Sequence, residues 1–228
     1  RSYFYKFYNF SNLLKKSENW VYFKFRFIDL SYIGWLAWKI LAVETGFFFL
    51  SNFKISESQS KQQKSIRDKF TKVLKGHIAV ATTNIKKYKN GKQIDARARQ
   101  FLKKDGLDYA HGTGHGVGFF SNVHEGPQSI SKYNTIKLEE GMIISNEPGY
   151  YKKNHYGIRI ENLVYVKKNK KKLQFENLTL APVEKDLINY DLLNKNEKNY
   201  LFNYHLNVYT KHSKFLNKKE KKWLAGLI

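Results

Sequence analysis

The sequence predicts an α+β fold, and three changes of pattern along its 228 residues carry that prediction. Apolar residues recur at helical spacing from Gln62 to Leu102. Beyond Asp108, short apolar and β-branched runs alternate with glycine-containing turns, as in an antiparallel sheet. After Pro182 the chain becomes helical and polar again. A chain of this length supports one main core, because domains hold roughly 100–150 residues.

Taken in order, residues 1–57 stand apart. They are crowded with aromatic residues (RSYFYKFYNF, NWVYFKFRF, GFFFLSNF) and almost free of turn and cap signals. A membrane span needs roughly 20 mostly apolar residues, and Lys24, Arg26, Asp29, Lys39 and Glu44 break this stretch into shorter pieces. A signal peptide fits no better, since no small-residue cleavage site follows a basic start. The one boundary falls near residue 57.

Ile66, Phe70, Val73, Leu74, Ile78, Ala81 and Ile85 predict an amphipathic helix over Gln62 to Ile85. His77 sits beside its apolar stripe, as a structural residue. The KNGK stretch reads as a turn. Ile94, Ala98, Phe101 and Leu102 mark a second helix, ended at Asp105-Gly106. Met142 to Ser145 and Gly157 to Val166 are the clearest strands. Alternation on the second sends Arg159 and Glu161 to one face and Ile158 and Ile160 to the other. Asn199 to Tyr209 and Lys218 to Ala225 read as helices of a packing tail.

Composition narrows the chemistry. There is no cysteine, so disulfides and thiolate ligands are excluded and any metal must use His, Asp and Glu. The net charge of +22 would suggest nucleic acid or an anionic membrane as partner. Yet only six of the 41 basic residues are arginine, the residue whose fork suits base and phosphate recognition. The lysine runs at 167–172 and 218–222 read as a hairpin tip and a helix face. Neither nucleic acid nor membrane is the expected partner.

The stretch HGTGHGVGFFSNVH places His111, His115 and His124 at spacings of four and nine among the glycines 112, 114, 116 and 118. Those glycines permit close backbone approach and positive φ. Glu147, held extended before Pro148, and Glu161 follow in separate segments. A single histidine in a glycine-rich turn is more often a surface residue than a ligand. Three histidines and two glutamates in this order suggest a metal site, with donors that suit Mn, Zn or Co. Glu125 reads as a neighbouring or surface carboxylate, His155 as exposed, and His205 and His212 as carrying no pattern.

HGTGHGVGFFSNVHEGP, EEGMIISNEPGYY and YGIRIENLVYV together resemble the C-terminal catalytic domain of Xaa-Pro aminopeptidases (aminopeptidase P), in the clan of methionine aminopeptidase, prolidase and creatinase. The resemblance covers roughly residues 58 to 228. It implies the pita-bread fold, with a peptidase domain over 58–182 and a helical extension over 183–228. It also implies release of the N-terminal residue from peptides with a penultimate proline, in the cytoplasm, with two divalent metal ions, and a homodimer that full-length relatives form through parts this chain largely lacks. Carried over by position, it makes His115, Glu147 and Glu161 metal ligands and His111 and His124 substrate-binding, proton-moving groups. Arg159 orients the carboxylates.

The sequence departs from that family at one place. Two further ligands, aspartates in a segment resembling DSGGQYxxGTTDxTRT, should precede SESQSKQQ, but WKILAVETGFFFLSNFKIS stands there, and no aspartate occurs between Asp29 and Asp68. A fold incomplete at its N-terminal side follows, holding at most one weakly bound ion and having impaired activity. A diverged non-enzyme that serves as a binding module, a fragment completed by a partner, and a shifted reading frame all account for this. The last is favoured: codons such as AAG ATT CTG GCG for Lys39 to Ala42, read two bases later, begin GAT TCT GGC and spell Asp-Ser-Gly.

Overall fold

The computed structural model describes Tyr22–Phe23 and residues 57–118, 122–170 and 172–228. The expectations for the aromatic segment 1–57, including its possible out-of-frame origin and its lack of a membrane span, lie almost wholly outside the described residues. The α+β architecture expected from the sequence is present. Strand β1 (Tyr22–Phe23) is followed by helices α1 (Glu57–Ala81) and α2 (Gly91–Lys103). Seven short strands come next: β2 (Gly114–His115), β3 (Ser129–Ile130), β4 (Ile143–Asn146), β5 (Gly149–Lys152), β6 (Tyr156–Arg159), β7 (Asn162–Asn169) and β8 (Lys172–Asn177). Two 3-10 turns, Lys185–Leu187 and Tyr190–Leu192, lead to α3 (Lys195–Ser213) and α4 (Lys218–Leu227).

Both N-terminal helices depart slightly from the apolar pattern. Helix α1 ends at Ala81, four residues before the predicted Ile85, because the chain turns there. Ile85 is still buried, in the cluster beneath β4 and β7. The KNGK stretch is the start of α2 and not a free turn: the Asn90 side chain accepts from the Gln93 N–H and caps the helix. At the far end, Gly106 adopts φ +70°, a conformation that favours glycine. The tail helices run longer than predicted. Asn194 and Asn217 each form a capping box, with Glu197 and Glu220, and so set where α3 and α4 begin.

The sheets are open. β4, β7 and β8 form one antiparallel sheet, in which Asn146 faces Asn162 across the β4–β7 pair. β5 and β6 form a hairpin, β1 pairs in parallel with β6, and β2 pairs with β3. A single bridge, Gly116 to Ile144, ties the β2–β3 ribbon to β4. The predicted strand Gly157 to Val166 is in fact two, β6 and β7, paired with different partners. Ile160 and Glu161 occupy the break. The expected alternation survives it: Ile158 and Ile160 are buried, while Arg159 and Glu161 face the other way and are half-buried.

Two apolar clusters flank the site. Phe70, Val73, Leu74 and Ile78 of α1 pack with Ile158, Ile160 and the tail residues Leu201, Tyr204, Val208 and Leu224. Val80, Ile94 and Ala98 pack with Ile130, Ile144, Val164 and Val166. The tail thus contributes core to the first cluster, as predicted of a packing tail. His77 is buried in agreement with its structural assignment. His205, which carried no sequence pattern, is also buried, and its Nε2 accepts from the Val183 N–H at 3.1 Å.

Candidate metal centre

The glycine-rich stretch reaches the site by close backbone approach. A Cβ on Gly114 would lie 1.9 Å from the Ser145 carbonyl oxygen, and one on Gly116 would lie 2.0 Å from the Glu125 carbonyl oxygen, so a side chain at either position would force the backbones apart. None of glycines 112, 114, 116 and 118 uses positive φ. The positive-φ glycines among the described residues are Gly106 and Gly141. The conformational half of the sequence expectation is therefore not met, and the proximity half is what these glycines provide.

That contact presses β2 onto β4. The His115 N–H donates to Ser145 Oγ at 2.9 Å, and Ser145 Oγ donates to Glu147 Oε1 at 2.9 Å. The Glu147 N–H in turn donates to the Thr113 carbonyl at 2.8 Å. His115 Nδ1 lies 2.9 Å from the carbonyl oxygen of Gly116. A carbonyl only accepts, so Nδ1 carries the proton and a neutral ring turns the Nε2 lone pair outward. Nε2 lies 3.3 Å from Glu147 Oε1. Two acceptors facing each other at that distance suit a cation between them. Ligand atoms of His115, Glu147 and Glu161 all lie within 4.8 Å of one another. Neutral imidazole and two carboxylates, with one residue buried and two half-exposed, fit a divalent cation.

A second layer holds these groups. Arg159 Nη1 lies 3.0 Å from Glu147 Oε2, and its Nε donates to the Tyr151 hydroxyl at 2.8 Å. Tyr151 Oη is 3.0 Å from His111 Nε2, and His111 Nδ1 donates to the Gly112 carbonyl at 2.7 Å. The hydroxyl therefore donates to Nε2. Burial lowers the pKa of His111 and raises that of Tyr151, which keeps both neutral near pH 7. The His124 ring packs against His115, centroids 4.2 Å apart. Glu125 accepts from the Asn122 side chain and is exposed, and His155 lies exposed between β5 and β6.

All six residues singled out in the sequence thus fall around one constellation: His115, Glu147 and Glu161 at its centre, Arg159 on Glu147, His124 on His115, and His111 joined through Tyr151. Sequence reasoning missed Ser145 and Tyr151, as well as Asp95 and Arg99 of α2. Ser145 had a signal, being two residues before Glu147 and so on the same face of an extended segment. Asp95 and Arg99 had another, as an oppositely charged i, i+4 pair beside the apolar stripe.

A family model described as metallopeptidase family M24 matches residues 47–168, and one for the C-terminal region of M24 peptidases matches 171–226. "Probable Xaa-Pro aminopeptidase P" of Coprinopsis cinerea is 48% identical over 168 residues, covering 68% of this chain and 27% of the relative. Xaa-Pro aminopeptidase 1 of Dictyostelium discoideum is 44% identical over 174 residues, covering 71% and 28%. The chain therefore spans about a quarter of the length of the curated relatives it matches. Among solved structures, X-prolyl aminopeptidase from Caenorhabditis elegans, a cytosolic enzyme with a di-nuclear active site, aligns with a TM-score of 0.66 at 38% identity. That alignment covers 72% of this chain and 28% of the other. The open mixed sheets, with α1 and α2 packed against them, are those of the pita-bread fold. With more than half of its length matched and its three motifs gathered at one centre, the chain belongs to metallopeptidase family M24.

Proposed function

We propose that the chain carries the His-Glu-Glu part of a metal-dependent Xaa-Pro aminopeptidase site, and that this polypeptide by itself has little or no peptidase activity. The observation that supports this reading is the convergence of His115, Glu147 and Glu161 within 4.8 Å, with the free Nε2 of His115 turned toward Glu147. These residues would hold a divalent ion, manganese foremost and zinc or cobalt acceptable. When bound, such an ion supplies Lewis-acid polarisation of the scissile carbonyl.

The chain's own side chains do the rest. Arg159 fixes one oxygen of Glu147 while Ser145 donates to the other, so the carboxylate cannot rotate away from His115. His111 and His124 bind the substrate and move protons at their ring nitrogens, with His111 held neutral by burial and its Nε2 kept as the acceptor nitrogen by the Tyr151 hydroxyl. The family's two further aspartates have no counterpart between Asp29 and Asp68, so a bridged metal pair lacks donors and at most one ion binds, weakly. The partner in this reading is a peptide with proline second, and neither nucleic acid nor membrane. No helix among the described residues is long and apolar enough to cross a membrane. A cytoplasmic location and a homodimer complete the reading, the first supported by the cytosolic C. elegans relative.

Metal content and turnover test it. Manganese titration of the purified chain should give no more than one weakly bound ion, and an Xaa-Pro peptide with added manganese should not be hydrolysed above background. Robust turnover would overturn the assignment of impairment. The absent aspartates also favour a second reading, a catalytically dead binding module, which no bound ion at saturating manganese would support. Sequencing of the locus tests the shifted-frame origin: Asp-Ser-Gly should be encoded in another frame over codons 39–42.

A further inference from the structure

Helix α2 turns Ile94, Ala98 and Leu102 into the core and buries Asp95 and Arg99 beside them, at 2% and 1% exposure. A guanidinium buried this completely requires matched N–H groups. Arg99 Nε donates to Asp95 Oδ2 at 2.7 Å. Nη1 donates to Asp108 Oδ1 at 2.6 Å and to the Tyr109 carbonyl at 2.7 Å, and Nη2 donates to the His111 carbonyl at 2.7 Å. The guanidinium also lies over the Tyr109 ring, 3.9 Å from its centroid. The other oxygen of Asp95 accepts from Thr113 Oγ1 at 2.7 Å.

We propose that the Arg99–Asp95 pair is a positioning device for His111, clamping residues 108–113 so that one ring nitrogen and not the other faces the site. The reason lies at Gly112. Its carbonyl accepts from His111 Nδ1 and so selects the ring tautomer, but a Cβ there would meet nothing closer than 3.4 Å, so no tight backbone approach of the kind at Gly114 or Gly116 holds this residue in place. Its neighbours are what hold it. Arg99 fixes the His111 carbonyl on one side, and Asp95 fixes the Thr113 hydroxyl on the other. With both ends pinned, the Gly112 carbonyl keeps the Nδ1 proton and the Nε2 lone pair stays turned to the Tyr151 hydroxyl. The functional weight of the device rests on the proposed role of His111 at the substrate.

Side-chain nitrogen NMR of the purified chain reads the tautomer directly. His205 is an internal reference, because its Nε2 accepts from the Val183 N–H and it has no link to Arg99. In the parent chain His111 should be almost wholly the Nδ1–H form. Arg99→Lys, which loses the fork, should raise the Nε2–H form by on the order of tenfold while His205 keeps its signature. Should Arg99→Lys fail to fold, Thr113→Val carries the test, since it keeps the shape and removes only the hydroxyl that Asp95 and the Tyr109 hydroxyl hold. An unchanged His111 tautomer in a folded variant, or an equal change at His205, would overturn the proposal. Undiminished binding of an Xaa-Pro peptide by His111→Asn would instead remove the substrate role, an outcome visible independently of the tautomer.

Discussion

The two faces of the β4–β7 pair carry two polar layers with opposite properties. On the front, Ser145, Glu147 and His115 have each donor spent inward and lone pairs turned toward partly open space. On the back, Asn146 donates to the His77 carbonyl at 3.0 Å, while the Asn162 amide donates to Thr179 and Tyr204. His77 there is fully enclosed, its ring beside the Asn162 side chain. Burial lowers its pKa to about 4 and raises that of Tyr204 to about 12. Both layers contain a histidine on a neighbouring element. What separates a candidate ligand from a core residue is the carbonyl that fixes one nitrogen and the carboxylate that faces the other.

That contrast can be broken from either side, and the largest effect should come from the back. Ile144 is fully buried on the same strand, and Ile144→Ala should cost about 2–5 kcal/mol in denaturant unfolding. If its main effect were instead on manganese affinity, the two faces would not be separable. The next effect is on pH. His77 is neutral when folded, with a pKa of about 4 against 6.5 when unfolded, so between those values the unfolded chain binds the extra proton. Stability should therefore fall as pH drops from about 6.5 to 4, by about 3 kcal/mol from this residue. Unfolding curves of His77→Leu should lose that part of the slope. On the front, Ser145→Ala should cost about 1–3 kcal/mol, because the His115 N–H loses its acceptor, and weaken manganese binding by roughly 10- to 100-fold in calorimetric titration. The smallest effect belongs to the exposed Lys167–Glu176 pair at the β7–β8 hairpin. Glu176→Gln should produce no measurable change in Tm or metal binding.

The site was legible wherever function depends on residue type in a fixed order. The three histidines, Glu147, Glu161 and Arg159 were each visible in the sequence, because imidazole and carboxylate are the donor types a metal site would need, and the type and order of the motif residues can be read without knowing the fold. The predicted strand Gly157 to Val166 was half legible. Alternation predicted the facing of Arg159 and Glu161, yet nothing in the residues marked the break at Ile160–Glu161, where the chain changes pairing partner. His205 was illegible for a related reason. Its partner, the Val183 N–H, belongs to another element, and no local pattern records such a pairing.

The sequence by itself determined the α+β succession, the ligand types available without cysteine, the motif residues, and the missing aspartates. The first two are matters of periodicity and composition, and the last two follow from the resemblance to the aminopeptidase family; none needs knowledge of neighbours in space. Only the tertiary structure decided that β2 lies against β4 closely enough for Ser145 to join His115 to Glu147. Only it showed that His77 sits in the core directly behind the site, and that Arg99 reaches the carbonyl of His111. Those contacts join segments far apart in the chain. They follow from how helices and sheets pack to bury their apolar faces, which sequence spacing does not encode.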